Sequence, residues 1–211
     1  DIYHYKEEIS ASLHKEFNII LSDEVMDEVL NELKIQGEIR IVDRRIYLEK
    51  YYEEEENIAS NLKAIDSFDA KKIDNLEEKL QTLESKIGID YNMDQEKAII
   101  TALNNNITII SGGPGTGKTT IINAITKLYI EEYRLGPADI METIALLAPT
   151  GRASKKLATS TSLPAYTIHR YLKWYKDSDS FFYNEYNKTS HKLIIVCLLY
   201  TSDAADEARS V

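Results

Sequence analysis

Residues Gly112 to Thr120 read Gly-Gly-Pro-Gly-Thr-Gly-Lys-Thr-Thr, a run whose residue types and spacing suit the holding of a polyphosphate. Gly112 and the later Gly117-Lys118-Thr119 fit the phosphate-loop pattern G-x-x-x-x-G-K-[ST]. Gly112, Gly113, Gly115 and Gly117 let the backbone turn tightly and bring N–H groups up to phosphate oxygens, where a Cβ would intrude. Pro114, Thr116 and Thr120 belong to the same loop. Lys118 places a point charge on the β- and γ-phosphates, and Thr119 offers a hydroxyl to Mg²⁺. The helix that follows points its positive N-terminal end at the anion.

Three other segments carry polar groups in places where chemistry is possible. Ala148-Pro149-Thr150-Gly151-Arg152-Ala153 ends a strand and opens a helix. Its amides, with the charges of Arg152, Lys155 and Lys156, suit a phosphate backbone, and equally suit an ordinary strand-to-helix turn. Thr167-Ile168-His169-Arg170 opens another helix, and a lone His there is most often a structural hydrogen-bonder. Asn92-Met93-Asp94-Gln95 precedes the first α/β helix. Asn92 and Gln95 make a capping box, or the Gln95 amide donates to and accepts from an adenine edge.

The elements that must position these groups follow from hydrophobic period. Ile107 to Ser111 is expected as a strand, its first four residues a mostly β-branched apolar run of the kind buried in parallel sheets. Ile121, Ile122, Ile125, Leu128 and Tyr129 recur at helical spacing over Thr119 to Tyr133. Helices are expected at Asp94 to Asn104, Arg152 to Ser160 and Thr167 to Tyr175, and strands at Thr143 to Ala148 and Lys192 to Val196. This alternation predicts an α/β fold with a parallel sheet, helices on both faces and right-handed crossovers. Ligands in such folds sit at the carboxyl ends of the strands, where Gly112 begins its loop.

Upstream, residues 1–50 read as a winged-helix-like region. Ser22 caps a helix whose face is Val25, Met26, Val29, Leu30 and Leu33, Gly37 stops it, and two short strands flank Asp43-Arg44. Residues 51–90 read as a helical linker region. Ile73, Leu76, Leu80, Leu83 and Ile87 form a seam at helical spacing, and Glu53 to Glu56 is a solvated run at a helix start. Residues 91–196 hold the partial phosphate-loop domain.

Composition sets the remaining bounds. With 211 residues, 43% of them apolar, the chain can bury a core. It has no apolar run long enough to span a membrane, and no secretory leader is expected from its first residues. The single cysteine, Cys197, excludes an internal disulfide and fits a reducing, cytoplasmic setting. The formal charge of −10 is unevenly spread. Residues 1–100 hold 25 acids and 13 bases, whereas residues 101–197 hold 7 acids and 11 bases. The basic half carries the phosphate loop, where polyanions would bind.

Taken in order, Gln95, GGPGTGKTT, APTGRA and TIH resemble the RecD-like DNA helicases of superfamily 1. Ile46-Tyr47-Leu48 followed by Glu55-Asn57-Ile58-Ala59 looks like that family's junction between N-terminal region and motor. The resemblance covers roughly residues 1 to 196 and implies a RecA-like P-loop NTPase fold with ATP and Mg²⁺ as cofactors. It also implies single-stranded DNA as partner and movement in the 5′ to 3′ direction. By that likeness Lys118 and Thr119 serve phosphate and metal, and Gln95 the adenine. Pro149, Thr150, Gly151, Arg152, Thr167 and His169 line the DNA.

The sequence departs from the family after Val196, where Asp-Glu should follow to hold Mg²⁺ and orient the attacking water. Cys197-Leu198 stands there instead. The stretch from Leu198 to Glu207 resembles translated sequencing-adapter read-through, so residues 197–211 are expected to be a non-native tail. The chain is then an inactive part of a helicase. Two alternatives stand beside the truncated motor: a nucleotide-binding module without hydrolysis, and a phosphotransferase with a small acceptor. The aromatic stretch from Tyr166 to Tyr186 suits base stacking, but Tyr171 and Trp174, three apart, are expected to pack a helix on the sheet.

Overall fold

The structure, a computed structural model, describes residues 2–113, 115–178 and 180–198. Pro114 of the phosphate loop and most of the expected foreign tail lie outside the described residues. The chain divides into two compact units, Asp1–Phe68 and Asp69–Val211.

The first unit begins with β1 (Tyr3–Tyr5), α1 (Lys6–Phe17) and α2 (Asp23–Ile35). The strands β2 (Ile39–Val42) and β3 (Arg45–Leu48) and the helix α3 (Glu49–Asp66) follow. Ser22 caps α2 as its residue type demands, its hydroxyl accepting from the Val25 N–H at 3.3 Å. Gly37, at φ +76°, turns the chain out of that helix. Of the expected α2 face, Met26 and Leu30 are buried with Ile39 and Ile46, Leu33 packs against them, and Val25 and Val29 stay exposed. The stripe is therefore narrower than its hydrophobic residues suggest. Asp43 and Arg44 both take positive φ, which gives the two-residue hairpin its twist. β1 completes an antiparallel sheet in the order β1-β3-β2. The Glu53–Glu56 run sits one turn inside α3, which starts at Glu49.

The second unit opens with α4 (Leu76–Ile87), α5 (Met93–Asn104), α6 (Lys118–Glu132) and α7 (Pro137–Thr143). Next come β4 (Ile144–Ala148), α8 (Gly151–Thr161), β5 (Ala165–Thr167) and α9 (Ile168–Leu172). The hairpin β6 (Trp174–Tyr175) and β7 (Ser180–Phe181) and the strand β8 (Leu193–Val196) complete it. The sheet is parallel in the order β5-β4-β8, and all of β4 is buried. The helical seam expected from Ile73 begins at Leu76, where α4 starts; Ile73 precedes the helix and is buried beside it. Ile73, Leu76, Leu80 and Leu83 pack with Ile99 and Leu103 of α5 and with Ile121, Ala124, Ile125 and Leu128 of α6. Lys79 to Glu132 and Lys86 to Glu131 pin α4 to the end of α6, at 2.5 and 2.8 Å.

Three expectations are corrected. Ile107–Ser111 joins no sheet. Thr108 and Ile110 line, with Leu193 to Ile195, a cavity of about 350 Å³, and Ile109 is 87% exposed. β-branched composition favours an extended chain but supplies no pairing partner. The expected helix at 167–175 is only α9. Lys173 enters the left-handed region at φ +53°, ends the helix, and sends Trp174 into an exposed strand. Tyr171 and Trp174 therefore do not share a helix face. Tyr171 instead bonds the Thr189 hydroxyl at 2.8 Å and His191 Nδ1 at 3.1 Å, tying α9 to the approach to β8.

If α4 is part of this core, Leu80→Ala should lower the free energy of unfolding by about 2–4 kcal/mol, as buried leucines do. Urea denaturation checks this, and a loss under about 0.5 kcal/mol, the size of a surface substitution, would detach α4 from the core.

Candidate nucleotide and nucleic-acid site

The phosphate loop leads into α6, and Gly117 is the residue that makes the junction possible. Its φ of +82° lies in the left-handed region, and a Cβ built there would stand 2.5 Å from Gln95 Nε2. Its carbonyl accepts the first helical bond from the Ile121 N–H at 3.0 Å. Gly115 also has positive φ, +75°. Gly112 needs its bare Cα for another reason, since a Cβ would meet the Thr116 hydroxyl at 2.7 Å. That hydroxyl donates to the Gly113 carbonyl at 2.9 Å, which closes the loop on itself. Lys118 folds back over it, Nζ donating to the Gly112 and Gly113 carbonyls at 2.7 Å each. A fixed ammonium beside exposed glycine backbone at a helix start is what a polyphosphate needs. Thr119 and Thr120 follow in the first turn, both half-buried.

Gln95 takes the first of its two expected descriptions and adds a contact to the phosphate loop. It completes a capping box on α5, its N–H donating to Asn92 Oδ1 at 3.0 Å while its Oε1 accepts from the Asn92 N–H at 3.1 Å. Its Nε2 then donates to the Thr116 carbonyl at 3.1 Å, which brings it to the phosphate loop across 21 residues of sequence.

Cys197 follows β8, and its N–H donates to the Leu147 carbonyl at 2.8 Å. Burial pushes its thiol above the ordinary range, while the nearby charges of Lys118 and Lys156 pull it back down. The end of β8 therefore lies within electrostatic reach of Lys118. A buried neutral thiol is a poor ligand for a hard cation. Thr119 suits Mg²⁺, but the residue at the end of β8 does not.

The remaining candidates cluster at the carboxyl ends of β4 and β5. These strands are neighbours, with Ala148 paired to Thr167, so the segments that follow them lie side by side. Thr150 caps α8, accepting from the Ala153 N–H at 3.2 Å, and Thr167 caps α9, accepting from the Arg170 N–H at 3.2 Å. Pro149, Gly151 and Arg152, around the first of these caps, are exposed. His169 is exposed too, edge-on to Trp174 with ring centroids 5.8 Å apart and 6.0 Å from Phe181. The β6–β7 hairpin that carries those rings was not anticipated. Its signal was two aromatic-containing pairs around the polar run Lys176 to Ser178.

A family model described as an AAA domain matches residues 95–197, which begin at Gln95 and take in the loop and both capped segments. The chain is 32% identical over 171 residues to the RecBCD enzyme subunit RecD of Mycobacterium tuberculosis (strain CDC 1551 / Oshkosh), covering 73% of this chain and 28% of that protein. The chain belongs to the RecD-like superfamily 1 helicase family. RecBCD enzyme subunit RecD of Buchnera aphidicola subsp. Schizaphis graminum is similar at 32% over 170 residues, 72% of this chain and 27% of the relative. The ATP-dependent RecD2 DNA helicase of Deinococcus radiodurans is 29% identical over 107 residues, 49% of this chain and 13% of its own. The chain thus spans little more than a quarter of the RecD proteins it matches.

Gly117→Ala in this RecD-like chain should cost about 1–2 kcal/mol of stability through its left-handed φ. Gly151→Ala, with open space at its Cβ, should stay within about 0.5 kcal/mol. Equal effects in urea titrations would refute the difference. Because Lys118 lowers the Cys197 thiol, Lys118→Ala should raise it further and slow alkylation at mildly alkaline pH. Mass spectrometry after iodoacetamide treatment reads this, and a faster reaction would contradict the proximity.

Proposed function

We propose that this chain binds ATP through Gly112–Thr120 and single-stranded DNA along Pro149–Arg152, Thr167 and His169, as part of an ATP-dependent DNA motor. In this reading Lys118 holds the β- and γ-phosphates, Thr119 faces Mg²⁺, and Gln95 reads the adenine. Movement would run 5′ to 3′, as the family resemblance implies. The observation that carries the reading is the joining of separate motifs. Gln95 is bonded to the phosphate loop, and the two capped segments follow adjacent strands.

The residue types suit DNA backbone rather than a small acceptor. Exposed main chain at Gly151, hydroxyls at two helix starts and the charge of Arg152 are sequence-independent phosphate contacts. An exposed His169 beside Trp174 offers a flat surface to a base.

A second reading, nucleotide binding without hydrolysis, is favoured for this chain by Cys197. With a thiol at the end of β8, no carboxylate stands there among the described residues to position metal or water. We read residues 197–211 as foreign to the parent protein, whose next residues would be Asp-Glu.

Calorimetry with ATP and Mg²⁺ and anisotropy with a labelled oligothymidylate test the proposal. The chain should bind both, and Lys118→Ala should weaken ATP by about tenfold or more, the usual worth of a lost charge-assisted contact. Combined Thr150→Ala and His169→Ala should weaken the oligonucleotide but not ATP. Failure of the unaltered chain to bind ATP would sink the proposal. ATP binding without oligonucleotide binding would remove the DNA half of it.

A further inference from the structure

The Gln95 side chain does more here than wait for a base. Nε2 donates to the Thr116 carbonyl at 3.1 Å, and the amide rests so close to Gly117 that a Cβ there would stand 2.5 Å away. A trans peptide points its carbonyl and its following N–H in opposite directions. Turning the Thr116 carbonyl toward Gln95 therefore turns the Gly117 N–H away from Gln95. On the other side of Gly117, its own carbonyl is committed to the Ile121 N–H. The two peptides that flank Gly117 are thus both held, one by α6 and one by Gln95. Gln95 is itself held, since its Oε1 accepts from Asn92 and its backbone N–H donates to the Asn92 side chain.

We propose that Gln95 is a positioning residue for the phosphate loop: by fixing the Thr116–Gly117 peptide it sets polyphosphate affinity even for a ligand without a base. The inference rests on the reading that Gly112–Thr120 binds a polyphosphate. It adds to the adenine role without competing with it. An amide nitrogen carries a second hydrogen and an amide oxygen a second lone pair, so both internal bonds can persist while a base is read.

The physical basis is preorganisation. A loop whose N–H groups already face the anion loses less freedom on binding than one that must find that arrangement. Releasing the Thr116 carbonyl frees the peptide to flip, and Gly117 is the residue best able to follow, having no Cβ.

The test compares ATP with inorganic tripolyphosphate, which has no base, by calorimetry on the full chain and on Gln95→Met. Methionine keeps the side-chain length and removes the donor. Tripolyphosphate should weaken by about fivefold, as one neutral hydrogen bond commonly carries, and ATP by at least that factor because it also loses the contact to its base. The melting temperature, followed in parallel, should be nearly unchanged, because the Asn92 side chain still caps α5. If tripolyphosphate affinity is unaltered while ATP weakens, Gln95 acts through the base alone and the inference is wrong. Should Gln95→Met fold poorly, Gln95→Glu keeps the capping box and still lacks the donor. Its Gly117 amide resonance should move in the ligand-free protein, and an unmoved resonance would overturn the inference. An unaltered chain that binds neither ligand would overturn the phosphate-loop reading itself, and this inference with it.

Discussion

α6 is packed on two sides, and the place of its first turn follows from that. Ile121, Ala124, Ile125 and Leu128 face the core shared with α4 and α5, while Ile122 faces the core shared with β4 and α8. Lys118 is the first residue of this helix, so its charge is delivered by a rigid element. Burial of this many aliphatic side chains makes sliding or rotating α6 costly. A phosphate loop on a loosely held helix would have to be ordered at each binding event.

The same helix explains why α4 belongs with the loop rather than apart from it. The seam from Leu76 to Leu83, with Ile73 ahead of it, is buried against α5 and α6, and two lysine–glutamate pairs hold α4 to the far end of α6. The Lys79–Glu132 pair is part-buried and the Lys86–Glu131 pair exposed, and the exposed one is worth little alone. The apolar seam does the holding, and the charges set its register. Across the sheet, β4 is buried throughout, and its end leads to Pro149 and the Thr150 cap. Phosphate loop and candidate DNA segments are thereby mounted on one packed unit.

Charge and burial compete at the end of β8. Lys118 and Lys156 favour an anion there, and burial opposes the thiolate of Cys197. A carboxylate would meet both lysines with a full charge and bind a hard cation well. The thiol, held neutral by burial, offers neither.

What the sequence determined by itself is what depends on near neighbours along the chain. The glycine and lysine spacing of residues 112–119, the Asn92–Gln95 box, the Ser22 cap and the helix seam from Leu76 are short-range patterns, each legible because its partners lie within a few residues. What only the tertiary structure decided required partners far apart. Composition made Ile107–Ser111 look like a strand, but a strand exists only where an edge pairs with it, and none does here. The period that suggested one helix through Tyr175 could not show that Lys173 turns left-handed and opens a hairpin. Nor could spacing bring Gln95 to Thr116, Cys197 to the charge of Lys118, or Ala148 beside Thr167. Those meetings follow from burying α6 and β4 among their neighbours, and hydrophobic burial specifies which faces are hidden, not which distant polar groups then meet.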